Sequence, residues 1–198
     1  PAGSIITGAS IQFTVDETKG NDTQSDLTIS AQADANPSTF ANTPFDISSR
    51  PTFGSTIDWM IMPGTWGTVG EAGPNQATPD VSSLVQAIID QDGWEEGNPM
   101  VFIFEGTGTK AAESYDGDPT AAATITIDYI PATAISTLDI AVGMGSDDME
   151  EYADVPGQTN TPGAIDEGSS DLELGSESAD GSEPQVVGVR FGGVDIPA

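Results

Sequence analysis

Across 198 residues the chain sets 32 acidic side chains against four basic ones, a formal charge of −28, and it contains no Cys and no His. That balance argues against a nucleic-acid partner, which needs clustered Lys and Arg. It also removes disulfides, thiolate chemistry, a His general base and the commonest transition-metal ligand.

Hydrophobic content of 36% with 7% aromatics fills one core, and 23 Gly and 14 Pro favour short strands joined by turns. Two readings account for the acid: solvation at high salt, or carboxylates neutralised by divalent cations such as Ca²⁺. No apolar run approaches the roughly 20 residues that span a bilayer, so no membrane insertion is expected. With neither an initiating Met nor a signal peptide, the chain reads as a mature or excised segment of an extracellular, cell-surface or secreted protein.

Taken in order, residues 5–15 alternate, with Ile5, Ala9, Ile11, Phe13 and Val15 toward one side and Ser10, Gln12 and Thr14 opposite. This predicts a half-buried antiparallel strand. Residues 27–31 alternate again. Asn36 and Pro37 turn the chain, and 45–51 is a further short segment. Ile57–Ile61 reads as a strand with Ile57 and Trp59 on one face, and 63–70 as loop and edge. The single helix candidate is 80–90, opened by Pro79 and Asp80, with Leu84/Ile88 and Val85/Ile89 making one apolar stripe. About three turns long, it reads as a lid over one end of a sandwich. Residues 99–105 form a near-continuous apolar run suited to a central strand, 124–129 alternate cleanly, 131–137 are linker-like, and 138–142 restart a strand. From Gly145 the composition shifts, and 145–198 hold 13 acidic residues and one basic one, Arg190. Short strands, Gly/Pro turns and one helix predict an all-β fold, an antiparallel β-sandwich of jelly-roll type.

The two ends read into each other. The tail runs through Leu172 and Leu174, then Val187, Val189 and Phe191, and closes on Val194 and Ile196 before Pro197-Ala198; the head opens Pro1-Ala2-Gly3 into the strand from Ile5. Joined at the shared Pro-Ala, they give a strand, a short connection and another strand. This predicts one period of something repetitive: a sandwich body at 1–142 and an acidic segment at 143–198 that donates strands to the next copy. Leu172, Leu174, Val187, Val189, Phe191, Val194 and Ile196 are the side chains expected to be donated. A sandwich lacking its first strands has open edges, repaired either by a covalently following repeat or by β-strand complementation in a head-to-tail fibre. The other arrangement is a lone domain whose tail folds back on its own body.

Asp80-Val81-Ser82-Ser83-Leu84-Val85-Gln86, Trp94, Gly97-Asn98, the strand 101–104, Ala112-Glu113-Ser114-Tyr115-Asp116-Gly117 and Ile125-Thr126-Ile127-Asp128-Tyr129 together resemble the second half of the DNRLRE-type β-sandwich domains. The first half of that family resembles Ser170–Gly175 and Val187–Phe191 followed by a Pro-Ala-Gly connection, here displaced to the C-terminus. The resemblance covers most of the chain in permuted order. It implies a structural or binding role in large secreted bacterial or archaeal surface proteins, without conserved catalysis.

Two carboxylate groups carry the expected Ca²⁺ ligands. Asp147, Asp148, Glu150, Glu151 and Asp154 crowd one short run beside Gly145, and Glu113, Asp116 and Asp118 surround a tight turn. Both supply hard oxygen ligands, without the twelve-residue EF-hand pattern. Asp16, Glu17 and Asp22 are a weaker third group. A glycosidase acid–base pair needs two carboxyls across a cleft, and no enzyme is expected. The sequence therefore reads as a subunit or repeat of an extracellular fibre, filament or adhesin stalk, stabilised by calcium, its partners being copies of itself. The alternative is a calcium-dependent carbohydrate-binding module of a secreted enzyme, with glycans as partners and Trp59, Trp66 and Trp94 as a stacking platform.

Overall fold

The computed structural model describes residues 4–131, 136–154, 160–166, 169–176 and 183–196. Its strands are β1 (Ile5–Gln12), β2 (Val15–Glu17), β3 (Ser25–Ala31), β4 (Ile57–Ile61), β5 (Met100–Thr107), β6 (Ala111–Glu113), β7 (Thr124–Ile130), β8 (Ser136–Ala141), β9 (Asp148–Tyr152), β10 (Ile165–Asp166), β11 (Asp171–Glu173) and β12 (Gln185–Phe191), with one α-helix, α1 (Ser82–Ile89). Every pairing is antiparallel. The strands form a six-stranded sheet, β10-β9-β12-β5-β3-β4, and two three-stranded sheets, β1-β7-β8 and β11-β6-β2. The fold is all-β and sandwich-like.

The uninterrupted apolar run of β5 follows from its place in the middle of the six-stranded sheet, because both of its faces are covered. Met100, Phe102 and Phe104 enter the main core, while Val101 and Ile103 enter a second cluster with Phe40, Ile47, Met149 and Val186. The alternation has the period of two that a strand imposes. In the main core Phe13 stacks on Trp59 with ring centroids 5.8 Å apart and meets Phe104 edge-on at 5.5 Å. Phe102 meets Phe191 of the tail at 6.2 Å.

β1 carries one departure from strict alternation. Its register shifts between Ile6 and Gly8, which turns Ile6 inward and leaves Ile5, expected inside, 60% exposed. Such an irregularity reverses facing because a strand's sides alternate residue by residue. The strand also stops at Gln12; Phe13 and Val15 stay buried, but the backbone re-pairs as β2 against β6.

The helix forms where its apolar stripe predicts, burying Leu84, Val85, Ile88 and Ile89, and it packs chiefly along β1. Residues 76–86 satisfy the outer edge of that strand. Gln86 Oε1 accepts from the Ile6 N–H, Asp80 Oδ1 from Ala9 and Thr78 Oγ1 from Ile11, while the Val81 and Thr78 N–H groups donate to the Ala9 and Ile11 carbonyls. An edge covered in this way is protected from pairing with another chain.

The tail lies in the same core as the body. β12 is inserted between β5 and β9, and β11 pairs with β6. Leu172, Leu174, Val187, Val189, Phe191, Val194 and Ile196 are all buried in the main cluster alongside Phe13, Phe102 and Ile125. In the single chain, then, residue 142 does not divide two cores, and the strands expected to complete a neighbour complete this chain's own sheet. Both ends are fastened to one segment: Gln86 Nε2 donates to the Ser4 carbonyl, and the Gly97 N–H donates to Val194. Among the described residues no helix is long and apolar enough to cross a membrane.

Candidate functional site: a buried carboxylate seam between tail and body

The acidic run at 147–151 is not a solvated face. Asp147, Asp148, Glu150 and Glu151 are each at most 5% exposed. The cause is β9, which is covered on both sides. Met149 and Glu151 point to the second cluster, with Glu151 Oε2 accepting from the Ile47 and Ser48 N–H groups at 3.0 and 3.2 Å. Asp148 and Glu150 point the other way. Asp148 Oδ2 accepts from the Tyr115 N–H at 3.0 Å, and Glu150 Oε1 accepts from the Glu173 N–H. Three carboxylates of one strand thus hold backbone donors from three separate segments, the compensation that burial of a charged group demands. Asp147 is paired with Arg190, Oδ1 to Nη1 at 2.7 Å.

The tertiary structure brings the two expected groups together. Asp148 lies against the loop carrying Tyr115 and Asp116, and Asp116 packs on the backbone of Gly145 so closely that a Cβ there would collide with both carboxylate oxygens. Gly117 is similarly pressed against the Ser170 carbonyl and Glu113 Oε2. At Gly117 the close approach of another backbone requires glycine, whereas at Gly145 a side chain would have to displace the Asp116 carboxylate.

Across the tail–body junction stand further carboxylates. Asp16, Glu17 and Asp171 each offer an oxygen within 4.8 Å of the others. Burial pushes Glu113 up to about 7, and a hydrogen bond and charge from Asp16, then the charges of Asp118 and Asp171, push the same way. Burial likewise raises Asp148 to about 7, against the Tyr115 N–H, with the Asp116 and Asp147 charges adding to the rise. Glu150 is raised well above the usual carboxylate range by burial and by Glu173 beside it. Glu173 is raised by burial and by Asp171, while Lys19, at 3.1 Å, pulls it back. Burial and mutual repulsion thus favour the protonated form in the Glu150–Glu173 pair.

The eight expected ligands have different fates. Asp148, Glu113 and Asp116 line the seam. Asp147, Glu150 and Glu151 line it or back it while bonded to Arg190, Glu173 and the 47–48 backbone. Asp118 closes its own turn through the N–H and hydroxyl of Thr120, and Asp154 is exposed. Asp171 and Glu173 were not singled out as ligands. Their alternation with Leu172 and Leu174 marks them as outward-facing strand residues, and nothing local reveals the acidic strand they face.

All four basic residues are committed within the chain. Lys19 meets Glu173, and Arg190 meets Asp147. Arg50 bonds Asp46, Gln32 and the Ser38 and Thr39 carbonyls beneath the Phe40 ring. Lys110, fully buried, donates to the carbonyls of Gly20, Thr23 and Thr109 at 2.7, 2.8 and 3.1 Å, and burial lowers it to about 8. The seam is therefore left with few cations of the chain's own.

The stacking platform expected from the tryptophans is not formed. Trp59, Trp66 and Trp94 are 4%, 0% and 7% exposed, and Trp59 packs on Trp66 and on the core rings of Phe13 and Phe104. Filling the core is what these rings do best in a sandwich of this size. No family model, no curated protein and no solved structure matches the chain.

Proposed function

We propose that this chain is a non-catalytic structural module, a subunit or repeat of an extracellular fibre or stalk, in which calcium stabilises the docking of the tail and the tail can complete either its own body or that of an adjacent copy. The observation that carries this reading is the placement of β12: a tail strand sits in the interior of the body's sheet, between β5 and β9, while head and tail are both fastened to the segment around Gln86 and Gly97. The same contacts are available to a tail arriving from a neighbour whose end lies at that segment, and exchange of an identical element between copies adds no new interface chemistry. Calcium enters because the tail brings Asp171 and Glu173 against Asp16, Glu17, Glu113 and Glu150, a repulsion that hard cations relieve.

Sedimentation velocity on the chain, with several equivalents of Ca²⁺ and again after chelation, tests the reading. Concentration-dependent species that collapse on chelation are expected. A monomer of 20.3 kDa at every concentration in both conditions would remove the exchange.

A further inference from the structure

We infer that Asp148 and Asp116 are ligands to one divalent cation of the calcium class, held where the 114–118 loop meets the turn at Gly145. The inference deepens the calcium part of the reading above and is independent of strand exchange.

Acidic residues near one another do not make a site, and most of this seam is already accounted for. Asp147 has Arg190, Glu150 has Glu173, and Glu151 spends Oε2 on the 47–48 backbone while its Oε1, too, lacks a hydrogen-bond partner. Asp148 adds to such an oxygen the charges of other acids beside it. It is 5% exposed, its Oδ2 accepts from Tyr115, and its Oδ1 has no hydrogen-bond partner among the described residues. A carboxylate oxygen removed from water without a donor or a counter-charge is costly, so native folds leave few of them. The groups facing Asp148 electrostatically are Asp116 and Asp147, both acidic. Arg190, bonded to the adjacent Asp147, is taken up by that residue and by the Pro37 carbonyl. Asp116 is pressed onto Gly145, where any side chain would displace it. A buried carboxylate, Asp148, with an unspent and desolvated Oδ1, and an exposed one, Asp116 on the adjoining loop, thus come near each other, with no cation of the chain bonded to that oxygen among the described residues. A hard divalent ion that takes carboxylate and carbonyl oxygens fits such a donor set, whereas His- and Cys-seeking metals have nothing here to bind. The ion would clasp β9, and with it the start of the tail, to the 114–118 loop of the body.

Calorimetric titration of the full chain with CaCl₂, at about 0.5 M monovalent salt to screen diffuse binding to the acidic surface, tests the assignment. Asp148→Asn and Asp116→Asn are each expected to weaken one saturable site at least tenfold, while Glu105→Gln, an exposed acid on β5, leaves it unchanged. Equal calcium affinity and stoichiometry in Asp148→Asn and wild type would overturn the site. Melting in chelator guards against a folding failure. Asp148→Asn removes the unpartnered charge and keeps an acceptor for Tyr115, so it should melt no lower than wild type without calcium and lose the calcium-induced rise. A lower melting temperature in chelator would mean that the protein alone satisfies this carboxylate, and would likewise overturn the site. Because binding is read on whatever species is present, a calcium-binding monomer retains this site and rejects exchange, and a polymer indifferent to Asp148 does the reverse.

Discussion

Asp171 stands directly opposite Glu113 in the three-residue pairing of β11 with β6, so two carboxylates face each other where the tail strand joins the body. Like charges in opposed positions weaken a ladder by about 0.2–1 kcal/mol, and Glu113 also meets Asp16 and Asp118. Asp171→Asn keeps an acceptor for the Ser169 hydroxyl and removes the repulsion. In chelator at pH 8 it is expected to stabilise the chain by up to about 1 kcal/mol, read as a higher urea midpoint at unchanged slope. A midpoint that stays put or falls would show that the opposed charges are not a cost.

The same seam sets a pH dependence. Asp148 and Glu113 rise from ordinary values of 3.8 and 4.5 to about 7 in the folded chain. Between those limits the folded state binds protons that the unfolded state has released, so stability falls as pH rises from about 4 to 7 and levels off above. Asp80 works in the opposite sense. Burial would raise it, but the Ala9 and Ser82 N–H groups and the Ser82 hydroxyl together hold it below 3.8, so its contribution is lost only in stronger acid. In chelator the melting temperature is expected to be higher at pH 5 than at pH 8. A profile rising across that interval would contradict the seam's electrostatics.

Lys110 is held by three backbone carbonyls and no carboxylate. Lys110→Met fills much of the same volume and leaves those carbonyls without their shared donor, an expected loss of about 3 kcal/mol in urea unfolding. Burial lowers Lys110 to about 8 from 10.5. Between those values the unfolded chain holds a proton the folded chain has lost, so wild type gains stability relative to Lys110→Met as pH rises through that range. Equal pH profiles for the two proteins would refute the assignment.

Arg190 and Asp147 form the buried ion pair at the tail–body boundary, with side chains 15% and 4% exposed. Arg190→Met strands the Asp147 carboxylate and is expected to cost about 3–5 kcal/mol, whereas Arg190→Met with Asp147→Asn recovers most of the loss. Additive single and double losses in denaturant unfolding would mean the pair contributes no coupling.

How much was legible locally depends on the element. The alternation at Ile57–Ile61 and at 124–129, the apolar run of β5 and the stripe of α1 are patterns of period two or 3.6 within a dozen residues. They determined the strands, the helix and the all-β class by themselves, because facing follows directly from backbone geometry. The outward facing of Ile5 is not legible in β1 because a register shift is a property of two strands together, and its partner Ile130 lies more than a hundred residues away. The acidic composition likewise raised the question of what neutralises it, and Asp148, Glu113 and Asp116 stand out as carboxylates beside Gly145 and Gly117.

Only the tertiary structure decided what those carboxylates face. Glu151 reaches the backbone at Ile47, Glu150 meets Glu173, and Asp148 reaches Tyr115, contacts that join segments far apart in the chain. Sequence alone determined that the tail carries strands made to be buried in a sandwich. How those strands sit in the chain's own sheet, and which carboxylate oxygens are left without a donor there, follow from sheet order and long-range packing, since burial energy and Coulomb repulsion depend on distances in space and not along the chain.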